Sequence, residues 1–283
     1  MDSFGDRFCL TLITDDPALA AEADQAGVDR IGVDLEMLGK AERQKGHSTR
    51  LSGHTLDNLA GVRRVITRAK LFARLNPINA GSSSEIEAAL DLGAEVLMLP
   101  FFRSADEVGA FADAVRGRSR TVILLETASA VLRVRSVLAI GGIEEVMIGL
   151  NDLRLQFGAA NPFEVLGSPL VDFLAAEIHR VGRPLAIGGI GRVDDNFLPV
   201  PSDLIYAQYP RLDATGAWIA RSFFPKRSAE WSFTDAIKAC RQRLSDWARA
   251  SDAAHEHARN ELVRRAADWK PAPRRRGCAM PKA

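Results

Sequence analysis

Two stretches decide the fold of this chain: Thr121–Thr127, TVILLET, and Val146–Leu153, VMIGLNDL. Each contains the run of Val, Ile and Leu that is typical of a strand buried on both faces, and each run stops at polar residues. The segment between them, Ala128–Gly141, has a helical pattern. This order predicts two neighbouring parallel strands joined by a helix.

A carboxylate stands where each of these apolar runs stops, Glu126 in the first and Asp152 in the second. The carboxyl ends of parallel strands meet at one edge of a sheet, where α/β folds build their sites. Two carboxylates at this edge, with room for water and a substrate, suit Mg²⁺ or Mn²⁺. The alternative is that each acid caps a helix or pairs with an arginine.

Strands and helices alternate eight times along the chain. This alternation predicts a (β/α)₈ TIM barrel with additional C-terminal helices; a doubly wound sheet is the alternative, but no GxGxxG motif follows a strand. The last strand is followed by a predicted helix at Ala214–Phe223. In order, the predicted strands are Phe8–Thr14, Arg30–Glu36, Leu71–Pro77, Val96–Phe102, Thr121–Thr127, Val146–Leu153, Pro184–Ile190 and Asp203–Pro210.

The predicted barrel domain occupies residues 1–225. A C-terminal helical extension follows at 226–270, and 271–283 reads as a disordered basic tail. The extension carries an apolar stripe with alternating spacings of four and three residues, which predicts a helix packed on the barrel or on a neighbouring subunit. The stripe consists of Phe233, Ile237, Cys240, Leu244 and Trp247.

Composition limits the classes of protein that fit. The 283 residues are 47% hydrophobic and 26% charged with a net charge of +1, which is ordinary for a soluble globular protein and indicates no nucleic-acid partner. Cys9, Cys240 and Cys278 are too far apart to form a disulfide framework or a metal motif, which suggests a reducing cytosol. No signal peptide or membrane span is recognised, so we expect a cytoplasmic protein.

Arg74 interrupts an apolar run in Leu71–Pro77, LFARLNP. A buried arginine needs a partner, and its planar guanidinium binds a carboxylate or phosphate through two hydrogen bonds. A substrate anion would serve, and a structural salt bridge to Asp34 or Glu36 is the alternative.

The polar segment after the second predicted strand is long for a compact domain. It runs from Met37 to His54, and we expect it to close as a lid over an anionic substrate, with His47 or His54 carrying a proton. A solvated surface loop is the alternative. Its other basic residues are Lys40, Arg43, Lys45 and Arg50.

Five segments together resemble the pyruvate-aldolase and citrate-lyase β-chain superfamily, the HpcH-like proteins with a phosphoenolpyruvate/pyruvate-type TIM barrel. The similarity covers roughly Leu10–Phe224. In chain order, the segments are VDRIGVDLE, ARLNP, ALDLGAEVLMLPFFRSADEV, LLETASAV and EEVMIGLNDLRLQFG.

The resemblance implies roles for individual residues. Glu126 and Asp152 would ligate a divalent metal, and Arg74 would hold the oxygens of a ketoacid or its enolate. Asp34 matches an acid near the metal-bound water, and Asp91 matches one that can reach the site of a neighbouring subunit. In the family the C-terminal helix often packs on another subunit, which implies a homo-oligomer.

The chain also departs from this family pattern. Aldolases of the group have His directly after D-x-E, and the lyase branch has an acid there, whereas this chain has Met37. Methionine cannot transfer a proton, so we expect a loop histidine or a metal-bound water to do so. The chain also lacks the long Gly- and Arg-containing insertion of the aldolases, which makes it more similar to the lyase branch.

The predicted function is therefore that of a metal-dependent carbon–carbon lyase or aldolase acting on a 2-oxoacid, pyruvate or oxaloacetate, through an enolate stabilised by Mg²⁺ or Mn²⁺. The second substrate would be an aldehyde or an acyl-CoA. The alternatives are a citrate-lyase-like acyl-CoA lyase and a non-catalytic binding or assembly relative of the family.

Overall fold

A computed structural model describes residues 3–39, 53–195, 199–224 and 231–269. Eight parallel strands close into a barrel in chain order, so each strand pairs with its neighbours in sequence. The strands are β1 Cys9–Ile13, β2 Arg30–Asp34, β3 Lys70–Arg74, β4 Val96–Leu99, β5 Arg120–Leu125, β6 Glu145–Ile148, β7 Leu185–Ile190 and β8 Gly216–Ile219.

The barrel is closed by the pairing of the first strand, β1, with the last, β8. Thr11 lies opposite Arg30 of β2 and opposite Trp218 of β8, and both pairings are parallel. Helices connect the strands around the outside, as right-handed crossovers require. The predicted (β/α)₈ barrel is thus confirmed, and the doubly wound sheet is excluded.

The described helices surround the barrel and extend beyond it at the C-terminal end of the chain; Arg221–Phe223 forms a short 3₁₀ turn. In chain order they are α1 Phe4–Arg7, α2 Pro17–Ala26, α3 Leu56–Arg63, α4 Ser82–Asp91, α5 Ala105–Val115, α6 Ala128–Leu132, α7 Val134–Leu138, α8 Leu150–Phe157, α9 Pro162–Leu166, α10 Pro169–Arg180, α11 Ser202–Tyr206, α12 Gln208–Arg211, α13 Phe233–Ala248 and α14 Asp252–Asp268.

The apolar core has two parts, one inside the barrel and one between the strands and the helices. Strands with two buried faces need apolar side chains on both, which explains the continuous runs in the sequence. The inner part consists of Phe72, Val96, Met98, Val122, Leu124, Met147 and Ala186, with Ile13 and Trp218 packed against it.

The last predicted strand and helix are wrong. Asp203–Pro210 forms the short helices α11 and α12, whereas the predicted helix Ala214–Phe223 contains β8. Tyr206 and Tyr209 are both buried, and their spacing of three residues suits one face of a helix. A short apolar run does not by itself distinguish a buried strand from a buried helix, and here tertiary packing decides.

Several other predicted boundaries also move. Strand β6 ends at Ile148, so Val146–Leu153 is part strand and part helix, and Asp152 lies in α8 instead of on a strand. The predicted helix Ala128–Gly141 is divided into α6 and α7. Asp152 still lies at the predicted end of the barrel, because α8 starts at the end at which β6 finishes.

The apolar stripe of α13 packs against its own chain. Phe233, Ile237, Cys240 and Leu244 are buried, and the Trp247 indole N–H donates to Asp203 of α11 at 2.9 Å. The stripe therefore gives no support for a helix that reaches a neighbouring subunit.

The tail at 271–283 lies outside the described residues, and the domain boundaries stay predictions. None of the described helices has both the length and the apolarity that crossing a membrane requires.

Candidate active site

Four predicted site residues converge at the carboxyl ends of the strands. Asp34 and Arg74 are the last residues of β2 and β3 and lie opposite each other in the sheet. Glu126 directly follows β5, and Asp152 lies in the first turn of α8, which follows β6. TIM barrels place their active sites at this end, because the loops there come from every strand.

Glu126 and Asp152 form a close carboxyl pair. Glu126 is 3% exposed, and its side chain is near enough to Asp152 to share a proton. Burial raises the pKa of Glu126 well above its ordinary value, and the charges of Asp152 and Glu36 raise it further, while Arg74 lowers it. Two acids held this close favour either a shared proton or a cation between them.

Arg74 is held by two carboxylates from the end of β2. Its Nε and Nη2 donate to the two oxygens of Asp34 at 2.7 and 2.5 Å, and its Nη1 lies 3.6 Å from Glu36. Burial alone would lower the pKa of Arg74, but Asp34 and Glu36 raise it, so the guanidinium stays charged. The ring of Trp218 lies 4.9 Å from the guanidinium carbon. The salt bridge that the sequence left as an alternative is therefore present.

Several acidic side chains are buried together beside Arg74. Asp34, Glu36 and Glu126 are buried, and the charges of all three act on the Arg74 guanidinium. Across the described ranges, no group of three or more His, Cys, Asp or Glu side chains is arranged to hold a metal. Mg²⁺ nevertheless binds through one or two carboxylates and completes its shell with water and substrate. The Glu126–Asp152 pair therefore fits a divalent cation held in an open site.

Two backbone features orient Glu126. The Phe101 N–H donates to Glu126 Oε1 at 3.1 Å, and Phe101 has a φ of +48°, which is unfavourable for a residue with a side chain. On the other side Gly149 lies so close that an added Cβ would be 2.7 Å from Glu126 Cβ and 2.8 Å from Oε2. Glu126 is thus fixed before any ligand binds.

Gly149→Ala is expected to weaken Mn²⁺ binding about 10- to 100-fold, the usual range when a group that orients a metal ligand is altered. Gly149 has a φ of −90°, which alanine also adopts, so the effect should come from displacement of Glu126. Titration followed by electron paramagnetic resonance measures free Mn²⁺. Gly109→Ala is the control, because its Cβ would meet nothing within 4 Å. Equal affinities in both variants would contradict the proposed role of Glu126.

His54 is bound beside the site through both ring nitrogens. Its Nδ1 accepts the Asp34 backbone N–H at 3.1 Å, and its Nε2 lies 3.6 Å from Asp15. In the neutral ring this bond places the proton on Nε2. His47, together with the rest of the basic cluster predicted to form a lid, lies outside the described residues.

Asp91 lies far from the other predicted residues in this chain. It is exposed and ends α4, which runs back from the carboxyl end of β3 toward the start of β4. Asp91 is therefore at the amino ends of the strands, whereas Glu126 is at the carboxyl ends. Its predicted contact with a neighbouring subunit's site stays a prediction.

Sequence reasoning did not assign Glu36, Phe101 or Gly149 to the site. Glu36 had a signal, since it follows Asp34 by two residues and so shares its side of an extended chain. Phe101 and Gly149 act through backbone conformation and close approach, which no residue type or spacing indicates in advance.

Solved structures share this fold at low sequence identity. An HpcH/HpaI aldolase from Desulfitobacterium hafniense aligns with a TM-score of 0.56 and 16% identity, covering 76% of this chain and 87% of its own. An HpcH/HpaI aldolase/citrate lyase family protein from Burkholderia cenocepacia gives 0.59 and 14%, covering 85% and 95%. Citrate synthase SbnG gives 0.58 and 14%, covering 76% and 86%. At these identities the likeness shows the fold alone.

The sequence comparison is more specific than the structural one. A search of curated proteins found no match. The profile of the HpcH/HpaI aldolase/citrate lyase family, however, matches residues 7–166, which is more than half of the chain. That range runs from the start of β1 to the end of α9 and includes every site residue described above except Trp218. The chain therefore belongs to the HpcH/HpaI aldolase/citrate lyase family, whose members are enzymes of the aldolase and lyase type.

Proposed function

We propose that this protein is a metal-dependent carbon–carbon lyase of the aldolase type that acts on a 2-oxoacid through its enolate. The observation that carries the proposal is the pair of acids Glu126 and Asp152 at the mouth of the barrel, close to the buried guanidinium of Arg74. An enolate oxygen carries the negative charge that a cation and a guanidinium would stabilise together.

Glu126 and Asp152 would hold Mg²⁺ or Mn²⁺, which supplies positive charge for the oxygens of the 2-oxoacid. Arg74 can contribute one further donor. Its Nε and Nη2 are occupied by Asp34, whereas Nη1 lies 3.6 Å from Glu36 and would donate to a substrate oxygen in the guanidinium plane. The bidentate bond to Asp34 would keep the guanidinium in place during this contact.

The start of α8 supports binding of the substrate carboxylate. Gly149 is the N-cap residue and makes no side-chain hydrogen bond to the first turn. The first N–H groups of a helix lack intrahelical partners, and the helix dipole favours negative charge there. Asp152 belongs to the same turn, so a carboxylate bound at these N–H groups would lie beside the carboxyl pair.

The proposed reaction balances without an oxidant or a second cofactor. In a 4-hydroxy-2-oxoacid the bond between C3 and C4 breaks, and its electron pair stays on C3 as the enolate of pyruvate. The C4 hydroxyl gives up its proton and becomes an aldehyde, and the enolate takes a proton at C3. Met37 cannot move either proton, so His54 through Nε2, His47 or a water remains the carrier. The second substrate and the homo-oligomer rest on the family resemblance.

Exchange of the pyruvate methyl protons with D₂O, followed by NMR, tests the proposal directly. Exchange requires the enolate but no acceptor, so it does not depend on the identity of the second substrate. We expect exchange with Mg²⁺ or Mn²⁺ and its loss on chelation, with recovery when the cation is restored. A protein that binds pyruvate without exchanging its protons would instead be a non-catalytic relative.

A further inference from the structure

A cavity of about 380 Å³ lies at the end of the barrel opposite the candidate active site. Cys9, Arg30 and Lys70 line it, and they are the first residues of β1, β2 and β3. Asp34 and Arg74 are the last residues of β2 and β3, so one strand length, roughly 13 Å, separates the cavity from the active site. Its volume is at the lower end of the range for small-molecule sites.

The lining of this cavity is basic. Arg7, Arg68 and Lys70 are exposed, and within the described part of the chain their side chains make no hydrogen bond or ion pair. Exposed cations are ordinarily solvated, and one alone indicates no ligand. Three cations around one concavity raise the local positive potential, which attracts an anion.

Among the described residues that line the cavity, Asp29 is the acidic one, and it is already bound. Its Oδ2 accepts the Leu10 backbone N–H at 2.7 Å and Arg241 Nη2 at 2.9 Å. Arg241 therefore compensates the charge of Asp29, which leaves the charges of the three exposed cations without a carboxylate in the cavity.

A buried guanidinium, that of Arg30, also lines the cavity. Arg30 is 6% exposed, and its Nη1 and Nη2 donate to the two oxygens of Glu145 at 2.9 and 2.6 Å. Arg120 Nη2 lies 3.4 Å from the same carboxylate, so two cations share this one anion. Arg30 is thus held in place by a bidentate pair, and its charge adds to the positive potential of the cavity.

We infer that this cavity binds a small ligand through a phosphate or diphosphate group, which Arg7, Arg68 and Lys70 hold. A phosphate group presents three acceptor oxygens and roughly two negative charges, so it can engage several separate cations at once. The arginine fork matches two of these oxygens, and the lysine ammonium adds a point charge. The inference does not depend on the proposed function, because none of these residues belongs to the active site.

Calorimetric titration of the full-length, metal-free protein with pyrophosphate tests the inference. At 0.15 M chloride, charges more than about 8 Å apart are largely screened, so binding that persists requires direct contact. We expect one pyrophosphate per chain and at least about tenfold weaker binding of sulfate. No pyrophosphate binding, or equal affinity for the two anions, overturns the inference.

Titrations with glycerol 3-phosphate and with inorganic phosphate distinguish two sources of the phosphate group. Tighter binding of the ester would indicate a phosphorylated metabolite, and tighter binding of the free ion would indicate inorganic phosphate. Either order supports a phosphate site, whereas failure of both to bind overturns it.

Arg68→Gln and Lys70→Gln should each weaken pyrophosphate binding about tenfold, as expected for the loss of one charged hydrogen bond. Lys70→Arg keeps the charge and should keep most of the affinity. Lys238→Gln is the matched control, because Lys238 is exposed on α13 and does not line the cavity.

All four variants change exposed side chains, so the Tm and the exchange of pyruvate protons should be unaltered. Wild-type affinity in both Arg68→Gln and Lys70→Gln would place pyrophosphate elsewhere, such as beside Arg74, and overturn the inference. Loss of affinity in Lys238→Gln as well would show a general effect of net charge and would also overturn it.

Discussion

Glu126→Gln is expected to abolish Mn²⁺ binding and to lower the rate of pyruvate proton exchange at least about 1,000-fold, which corresponds to about 4 kcal/mol of lost transition-state stabilisation. Gln has the same shape as Glu but lacks the charge that the cation requires. Calorimetric Mn²⁺ titration and NMR exchange measure the two effects on the same sample.

The same substitution should not reduce the stability of the fold. Burial and the charges of Asp152 and Glu36 favour the neutral form of Glu126 in the metal-free protein, and a neutral amide matches that form. We expect an unchanged or higher Tm without metal, and the Tm increase produced by Mn²⁺ should disappear. This combination separates loss of a ligand from loss of structure.

Glu22→Gln provides the control, because Glu22 is exposed on α2 and should leave binding, exchange and Tm unaltered. Wild-type Mn²⁺ affinity in Glu126→Gln would place the metal elsewhere. A large fall in Tm would show that the carboxylate of Glu126 stabilises the fold itself, because Gln can still accept the Phe101 N–H.

The architecture of the barrel could be predicted from local patterns because buried parallel strands leave a strong signal. In runs such as that in Thr121–Thr127, the residues on both faces of the strand are apolar, because both faces are buried. The last strand and helix were misplaced because β8 leaves only a weak signal in the sequence. Strand β8 is only four residues long and contains two residues of low strand preference, Gly216 and Ala217. The longer apolar run at Asp203–Pro210 imitated a strand although it packs as helices.

The location of the site could be predicted, because the direction of the parallel strands determines which end of the barrel carries the residues that follow them. Asp152 was assigned to the wrong element, yet it lies at the predicted end of the barrel, because a helix after β6 must begin there. What could not be predicted is how the side chains share partners. The sequence left open whether Arg74 faces a substrate or a carboxylate, and the structure shows it bound to Asp34 through two nitrogens, with the third 3.6 Å from Glu36.

Arg74→Lys is expected to lower kcat/KM for pyruvate proton exchange at least about 100-fold, or about 3 kcal/mol. Arg74 holds Asp34 with two nitrogens, and in the proposed function its third nitrogen, 3.6 Å from Glu36, would also donate to a substrate oxygen. A lysine has a single ammonium group and cannot do both. If the third nitrogen stabilises developing enolate charge, the loss should appear mainly in kcat; if it only holds the bound ketoacid, it should appear in KM.

The buried salt bridge complicates this test, because a change at Arg74 also disturbs Asp34. Arg118→Lys separates the two effects, since Arg118 also holds a carboxylate, that of Glu87, through two nitrogens, Nη1 and Nη2, at 2.6 and 2.7 Å but on the surface. Exposed pairs contribute little, so this variant should keep its activity and Tm. Activity comparable to the wild type in Arg74→Lys, together with a reduced Tm, would make Arg74 a structural partner of Asp34. Reduced exchange with Mn²⁺ affinity retained would instead place its action on the substrate, because Glu126 and Asp152 would still hold the cation.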